Sequence, residues 1–160
     1  MIFVVLGTQK FQFDRLLTEM DRLVEEGIIQ EEVFIQRGHS EYSGTNCSSE
    51  TFLTYEDFQD CVEKCSLMIT HSGVASIISG LKHGKPVIVV PRQAKFSEHV
   101  DNHQMQIAES FVEQNFVLLC EDTDHLAGLI EKAKNHRFSR YISQRERVIR
   151  EIRDYLDLKE

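Results

Sequence analysis

The sequence predicts an α/β fold: a Rossmann-like, doubly wound parallel sheet of about six strands. Two observations lead to this prediction. Short, wholly apolar runs recur along the chain, and segments with helical spacing separate them. Unbroken apolar runs are typical of parallel strands that helices bury on both faces. The order strand, turn, helix, strand also defines a βαβ unit, whose strands lie parallel.

The first 64 residues supply three predicted strands and two helices. The strands are expected at Ile2–Leu6, Val33–Gln36 and Thr51–Leu53, and the helices at Phe11–Glu26 and Tyr55–Lys64. The first helix carries an amphipathic stripe, which predicts one buried face. Its apolar members are Phe13, Leu16, Leu17, Met20, Leu23 and Val24. The second helix is expected to turn Phe58, Cys61 and Val62 inward.

The polar stretch Arg37–Ser49 predicts a loop, because it is rich in Gly and Ser and has no helical period. His39 and Tyr42 lie within it and are interpreted as surface residues. Gly7 and Thr8 occupy a strand-end turn earlier in the chain. They are candidates for contact with a ligand, and an ordinary structural turn is the alternative.

The rest of the chain continues the alternation of strands and helices without an internal repeat or linker. The predicted elements are strand Leu67–Thr70, helix Val74–His83, strand Val87–Val90, helix His103–Gln114, strand Phe116–Leu119 and helix Asp122–Lys134. Asp122, Thr123 and Asp124 offer caps for the last helix. With 160 residues, the whole chain, 1–160, is expected to form one domain.

The turn His71-Ser72-Gly73 joins a buried strand to a helix and is the first candidate site. In open α/β sheets, ligands bind beyond the carboxyl ends of strands, and amides at a helix start suit an anion. Gly73 lacks a Cβ, so backbone can approach a phosphate closely there, and His71 is a possible donor to the same oxygen. The alternative is an ordinary helix cap in which Ser72 or Ser76 bonds to the free amides.

The loop Pro91–Gln104 is the second candidate site, because it is long and dense in hydrogen-bonding side chains. Two such loops after consecutive parallel strands can close around one ligand, with phosphate at the first and a polyhydroxylated group at the second. Amide and imidazole groups suit sugar hydroxyls, since each both donates and accepts. The loop's polar residues are Arg92, Gln93, Lys95, Glu98, His99, Asp101, Asn102, His103 and Gln104.

These motifs resemble the donor-binding C-terminal half of family 28 glycosyltransferases, which have the GT-B architecture. The shared pattern is His71–Gly73, a helix, Gly84–Pro86, an apolar strand ending in Pro91, and the closing pair His103-Gln104. More narrowly, PRQAKFSEHVDNHQ is similar to bacterial exopolysaccharide and capsule transferase subunits that consist of this half alone. Those subunits are similar to the soluble subunit of the eukaryotic two-part UDP-GlcNAc transferase. The resemblance covers nearly the whole chain.

The resemblance implies a donor-binding subunit that is inactive alone. It would move a sugar from a UDP-sugar to a lipid-linked acceptor in polysaccharide biosynthesis. A membrane-associated partner would hold the acceptor and the general base, and would recruit this chain to the inner face of the membrane. No metal or other cofactor is expected, and a homo-oligomer is possible. The implied donor-binding residues are Gly7, Thr8, His71, Ser72, Gly73, Ser76, Ser79, Arg92, Gln93, Glu98, His99, His103 and Gln104.

One position departs from the family pattern. Many members carry Glu on the helix after the turn, where it binds ribose hydroxyls, and this chain has Ser79 there. A hydroxyl bonds ribose less strongly than a carboxylate does. A non-catalytic nucleotide-sugar-binding module that regulates a partner therefore stays open. So does a self-sufficient enzyme that uses His71 or His99 as base, with Glu98 or Asp101 beside His99.

Composition limits the remaining classes of function. The net charge of −8 and a pI near 5.4 argue against nucleic acid as a partner. No run is as long as a membrane span and no charged leader precedes the first strand, which predicts a cytoplasmic chain. The four cysteines show no CxxC spacing. Cys61 and Cys65 share a helical face, and buried reduced thiols are favoured over a metal site.

The C-terminal segment Ser139–Leu156 is predicted to be an amphipathic helix. Ile142, Ile149, Ile152 and Leu156 form its apolar stripe. Its basic residues are Arg140, Arg145, Arg147, Arg150 and Arg153. Packing on the domain, docking on a partner subunit and contact with anionic lipid are the alternatives, and the resemblance favours the partner.

Overall fold

Six parallel strands form one sheet in a computed structural model that describes residues 1–143, 149–150 and 153. The strands are β1 Ile2–Val5, β2 Val33–Gln36, β3 Ser48–Glu50, β4 Leu67–Thr70, β5 Val87–Val89 and β6 Leu118–Leu119. Their order across the sheet is β3-β2-β1-β4-β5-β6. This is the doubly wound order, so the predicted fold class is confirmed.

Helices cover both faces of the sheet. They are α1 Asp14–Glu25, α2 Tyr55–Lys64, α3 Val74–Lys82, α4 His103–Glu113 and α5 Leu126–Asn135. One core cluster joins the sheet to α1 and α5 through residues such as Leu16 and Ile130. A second cluster joins the other face to α2, α3 and α4 through Val62, Ile77 and Ala108. The buried strands explain the unbroken apolar runs in the sequence, because each face meets helices.

The chain changes winding direction between β1 and β4. Ile2 pairs with Val33 of β2 on one side and with Leu67 of β4 on the other. Strands that follow β1 therefore extend the sheet one way, and strands that follow β4 extend it the other way. The loops after these two strands diverge to opposite sides, which opens a crevice at their carboxyl ends, where ligands bind in such sheets.

Two predicted boundaries near the start of the chain are wrong. Helix α1 begins at Asp14 instead of Phe11, because the carbonyl oxygens of Phe11 and Gln12 accept hydrogen bonds from Arg92. The third strand lies three residues earlier than predicted, since Ser48–Glu50 pairs with β2. It is an exposed edge strand, and an edge strand needs no apolar run.

The later boundaries differ less. Strand β6 is only Leu118–Leu119, because Phe116 donates back to the carbonyl oxygen of Phe111 at the end of α4. A 3₁₀ turn, Thr123–His125, precedes α5, and Asp122 caps it as predicted by accepting from the amide of Asp124. A second 3₁₀ turn, Ala94–Phe96, lies in the loop after β5.

The predicted C-terminal helix does not begin at Ser139. Residues 139–143 are not helical, because the amide of Ser139 donates to the carbonyl oxygen of Asn115 and Tyr141 packs edge-on against Phe116. Ile142 is exposed, and positions 149, 150 and 153 are helical. The remaining apolar and basic residues of this prediction lie outside the described residues: Arg145, Arg147, Ile152 and Leu156.

Residues 1–143, 149–150 and 153 contain no helix with the length and apolar character needed to cross a bilayer.

Candidate functional site

A cleft of about 550 Å³ opens at the carboxyl ends of β1, β2 and β4, between helices α2 and α3. It lies where the sheet changes winding direction, which is the expected place for a ligand. The residues that line it are Gly7, Thr8, Gln9, Gln36, Leu53, Thr54, Tyr55, Phe58, Gln59, His71, Gly73, Val74, Ala75, Ser76 and Ser79. Six predicted site residues are among them: Gly7, Thr8, His71, Gly73, Ser76 and Ser79.

His71 follows β4 directly, and its ring forms part of the cleft wall. Nδ1 lies 3.3 Å from the carbonyl oxygen of Val5 at the end of β1. A carbonyl only accepts, so in the neutral ring Nδ1 carries the proton and Nε2 keeps its lone pair. Burial and the nearby charge of Arg92 lower the pKa of His71 to about 4. The imidazole is therefore neutral at pH 7.

Two glycines flank this imidazole. A Cβ built on Gly7 would lie 2.6 Å from both Cε1 and Nε2 of His71. A Cβ on Gly73 would overlap Nε2. The structure thus gives Gly73 a role that the sequence did not indicate, which is to leave room for the histidine ring. Gly7 has a second reason to be glycine, because its φ of +78° disfavours any side chain.

The amino end of α3 has no side-chain cap from the residues that the structure describes. Gly73 is the N-cap residue, and no side chain bonds to the first-turn amides. The interpretation that Ser72 or Ser76 serves as the cap is therefore wrong. Ser72 is 1% exposed, and its Oγ has no partner among the described residues. The first turn carries no acidic side chain, and Val74 and Ala75 are exposed. Free amides and the helix dipole make this end of α3 suitable for an anion.

Helix α2 and the end of β2 form the opposite wall, and none of the predicted site residues lies on these two elements. Tyr55 and Phe58 supply aromatic surface. Gln59 Nε2 donates to Ser79 Oγ across the cleft at 3.3 Å. Gln36 is 6% exposed and lines the cleft. The available signal for Gln36 was a polar residue at the carboxyl end of an otherwise apolar strand.

The second predicted site does not line the cleft. Four polar residues of this loop are buried and bond to the protein itself: Arg92, Gln93, Glu98 and Gln104. Gln104 Oε1 accepts from the amide of Arg92 at 3.0 Å, and Gln93 Nε2 donates to the carbonyl oxygen of Glu121 at 2.7 Å. The Glu98 carboxylate accepts from Arg15 Nε at 2.9 Å. These side chains hold the loop together, and their contact with a sugar stays a prediction.

Two histidines of this loop are also outside the cleft lining. His99 packs against Phe11, and its Nδ1 lies 3.0 Å from Asp101 Oδ1. Asp101 is the partner of His99, whereas Glu98 faces Arg15. His103 is exposed at the start of α4, with Nδ1 3.1 Å from Gln106 Oε1.

The remaining candidates of the sequence analysis lie elsewhere. His39 is exposed and packs edge-on against Phe52, and Tyr42 is half-buried and donates to Asp21. Cys61 and Cys65 are free thiols. Burial raises the pKa of both thiols. Across the described part of the chain, no three His, Cys, Asp or Glu side chains form a group that could hold a metal ion.

Comparison with known families agrees with this geometry. The profile of the glycosyltransferase family 28 C-terminal domain matches residues 1–156. The chain belongs to this family. Among curated relatives, subunit ALG13 of the UDP-N-acetylglucosamine transferase of Yarrowia lipolytica is 36% identical over 83 residues, which is 51% of this chain and 39% of that protein. The family 28 domain described here thus spans about two-fifths of that relative's length.

Solved structures share the fold of this family 28 domain. A solution structure of ALG13 is 21% identical, with a TM-score of 0.59, and the alignment covers 89% of each chain. The glycosyltransferase of kitacinnamycin is 16% identical, with a TM-score of 0.65, and the alignment covers 84% of this chain and 35% of that one. These likenesses show a fold shared with ALG13 and with about a third of the kitacinnamycin glycosyltransferase chain.

Proposed function

We propose that this chain is the donor-binding subunit of a two-part glycosyltransferase, which moves a sugar from a UDP-sugar to a lipid-linked acceptor in polysaccharide biosynthesis. The observation that carries the proposal is the uncapped amino end of α3 inside the cleft. The diphosphate would accept from the amides of Val74, Ala75 and Ser76, with His71 beside it. Family membership and the similarity to subunit ALG13 of a UDP-N-acetylglucosamine transferase support a UDP-sugar as the donor.

The opposite wall has the chemistry of a nucleoside site. Tyr55 and Phe58 offer faces on which a base can stack, and the carboxamides of Gln36 and Gln59 both donate and accept. Ser79 lies four residues beyond Ala75 on α3, or roughly 6 Å along the helix axis. That separation is suited to a ribose whose 5′ oxygen carries the phosphates.

The cleft supplies no obvious general base. Within the described part of the chain, no Asp, Glu, Lys or Arg lines it, and His71 has a pKa of about 4. A base that operates near neutral pH needs a higher pKa than this. We therefore assign the base and the acceptor to a partner subunit across the cleft. A GT-B enzyme needs a second Rossmann-like domain, which the partner would provide.

The C-terminal segment is the proposed docking element for that partner. Ile142 is 68% exposed, and the sequence beyond it continues the apolar stripe with arginines around it. A membrane-associated partner would bring the domain to a lipid-linked acceptor. Removal of residues 144–160 would keep the contact between Tyr141 and Phe116. It is expected to abolish co-purification with the partner and sugar transfer while UDP-sugar affinity persists. A truncated chain that still docks and transfers would refute this role.

The donor site has a sharp test at Val74. Val74→Pro removes one amide donor at the first helical position, where proline is tolerated, and Gly73 already has the extended conformation that proline requires before it. Loss of one bond to a charged group is expected to weaken UDP binding roughly tenfold to a hundredfold. Val74→Ala keeps the amide and is the matched control. Equal UDP affinities of the folded proline and alanine variants would refute the assignment.

A non-catalytic nucleotide-sugar-binding module is the second candidate. It is favoured because none of the described residues that line the cleft carries a carboxylate. Calorimetry of the purified chain against several UDP-sugars should detect binding under either function. An assay of sugar transfer distinguishes the two functions when it is run with this chain and the partner encoded beside it. Transfer that requires the donor site of this chain supports the subunit, whereas transfer by the partner alone supports the module. Transfer by the single chain would support the self-sufficient enzyme instead.

A further inference from the structure

Arg92 is buried below the loop that follows β1, and it is 1% exposed. Its guanidinium bonds only to backbone carbonyl oxygens among the described residues. Nη2 donates to Leu6 at 2.7 Å, and Nη1 donates to Gln12 at 2.8 Å, to Phe11 at 3.0 Å and to Glu98 at 3.3 Å. Nε has no partner in the described part of the chain. The guanidinium also lies over the Phe13 ring, 4.7 Å from its centroid.

Among residues 1–143, 149–150 and 153, no carboxylate bonds to this guanidinium. The nearest candidate, Glu98, gives its carboxylate to Arg15 Nε at 2.9 Å, to Arg15 Nη2 at 3.1 Å and to the amide of Gln93 at 3.0 Å. The group of Arg15, Arg92 and Glu98 therefore keeps one net positive charge, with Arg92 and Glu98 buried and Arg15 partly exposed. A planar fork of donors can reach carbonyls from several segments at once, and the single ammonium of lysine cannot reproduce that geometry.

The segment that Arg92 holds is part of the cleft. Leu6, Phe11 and Gln12 bracket residues 7–9, and Gly7, Thr8 and Gln9 line the cleft. Gly7 lies against the ring of His71. A shift of the Leu6–Gln12 segment would therefore move both a cleft wall and the space that the imidazole occupies.

We propose that Arg92 is a positioning residue for the nucleoside diphosphate: it holds the Leu6–Gln12 segment in place as a wall of the donor site and supplies positive charge behind the amino end of α3. This inference rests on the proposed function. It replaces the expectation that Arg92 touches the donor directly. The chain has a net charge of −8, and the described cleft lining contains no Lys or Arg, so a buried cation behind the site has a clear electrostatic use.

The charge of Arg92 reaches the site, since it helps to lower the pKa of His71. This coupling provides a readout that a general loss of stability would not change. Removal of the charge is expected to raise the pKa of His71, whereas a substitution that keeps the charge should leave it low.

The test compares Arg92→Met and Arg92→Lys in the full chain, with Ile130→Ala as the control. Ile130 is a core residue of α5 and does not line the cleft, so the control loses stability without any change to the loop. UDP affinity is measured by calorimetry at a temperature at which circular dichroism shows each variant folded. The pKa of His71 is measured by NMR. The rate of hydrogen exchange at the Gly7 and Thr8 amides reports whether the loop keeps its position.

Arg92→Met is expected to weaken UDP binding roughly tenfold to a hundredfold, to raise the pKa of His71 and to speed exchange at Gly7 and Thr8. Arg92→Lys should weaken UDP binding less than Arg92→Met does and should keep the pKa of His71 low. Ile130→Ala should change neither the UDP affinity nor this pKa. If Arg92→Met does not fold, the UDP affinity and the amide hydrogen exchange of Arg92→Lys alone test the inference. Folded Arg92 variants that bind UDP as tightly as Ile130→Ala does would overturn the inference. A wild-type chain that does not bind UDP would refute the proposed function, and this role with it.

Discussion

Nδ1 of His71 lies 3.3 Å from the carbonyl oxygen of Val5, and this contact joins the carboxyl ends of the two strands at which the sheet reverses its winding. It also orients the imidazole, because Nδ1 faces the backbone and Nε2 faces the glycines of the cleft. The predictions for this site follow from that orientation and from its burial.

The first prediction concerns stability at acidic pH. The pKa of His71 is about 4 in the folded chain and about 6.5 when unfolded, so between these values the unfolded chain binds a proton that the folded chain does not. The contribution of neutral His71 to the free energy of unfolding is therefore fully present above pH 6.5. It is lost as the pH falls toward 4, and the total loss is roughly 3 kcal/mol. Urea unfolding of wild type and His71→Gln at pH 7.5, 5.5 and 4.5 measures this. Parallel pH curves for the two proteins would show that His71 does not contribute.

The second prediction is that donor binding takes up a proton. A phosphate oxygen near Nε2 and the Val5 carbonyl at Nδ1 both accept hydrogen bonds, and only the imidazolium donates from both nitrogens. A bound diphosphate should therefore raise the pKa of His71, and affinity should increase as the pH falls from 7.5 toward 5. A UDP-sugar is the right ligand, because its diphosphate does not itself titrate there. Calorimetry in buffers of different ionisation enthalpy measures the proton uptake, and His71→Gln should abolish it. Zero uptake by the wild type at pH 5.5 would argue against a phosphate at Nε2.

The third prediction separates the two glycines beside His71. Gly73 has a negative φ, so Gly73→Ala is disfavoured only by its overlap with the imidazole and should cost about 1–3 kcal/mol. In a His71→Ala background the overlap disappears, and the cost should fall close to zero. Gly7→Ala is the contrast, because its φ of +78° keeps the substitution strained in either background. Double-mutant cycles from urea unfolding give both coupling energies. A Cβ on Gly7 also overlaps the imidazole, so both glycines should couple to His71, and the residual cost in the His71→Ala background tells them apart. A residual cost of Gly73→Ala as large as that of Gly7→Ala in this background would contradict this account.

The fourth prediction concerns Gln59 and Ser79. Because Gln59 Nε2 donates to Ser79 Oγ, the pair still offers one acceptor and one hydroxyl proton, which matches a vicinal diol. Gln59→Ala and Ser79→Ala should each weaken UDP binding roughly twofold to tenfold. Neither substitution should weaken the binding of 2′,3′-dideoxy-UDP relative to the wild type, because this nucleotide lacks the ribose hydroxyls. Gln30→Ala is the control, since Gln30 is exposed at the amino end of the sheet. Equal losses for both nucleotides would show that the pair does not contact the ribose.

The sequence predicted the sheet well where burial imposed a pattern. The buried strands β2 and β4 and the helix α2 have the predicted bounds, since apolar runs and helical periods report contact with a core. Strand β3 was misplaced because an exposed edge strand carries no such pattern. The start of α1 was misplaced because the carbonyl oxygens of Phe11 and Gln12 accept hydrogen bonds from Arg92, which lies about eighty positions away in sequence.

The candidate site was predicted in part for a similar reason. The turn after β4 was found because its position in a βαβ unit follows from chain order alone. The polar loop after β5 was interpreted as sugar-binding, but residue types do not reveal whether a side chain faces a ligand or its own backbone. Gln93, Glu98 and Gln104 bond within the protein. The wall formed by Gln36 and Gln59 depends on which helices flank the crevice, and only the three-dimensional arrangement shows that.

Titration of the isotope-labelled full chain with UDP-N-acetylglucosamine, followed through its backbone amide NMR signals, tests the central claim most directly. The account predicts saturable binding in which the amides of Val74, Ala75 and Ser76 shift most, accompanied by Gly7 and Thr8 across the cleft. It also predicts that Val74→Pro greatly weakens this binding, whereas Val74→Ala preserves it. No binding at millimolar ligand, or shifts confined to another edge of the sheet, would contradict the account.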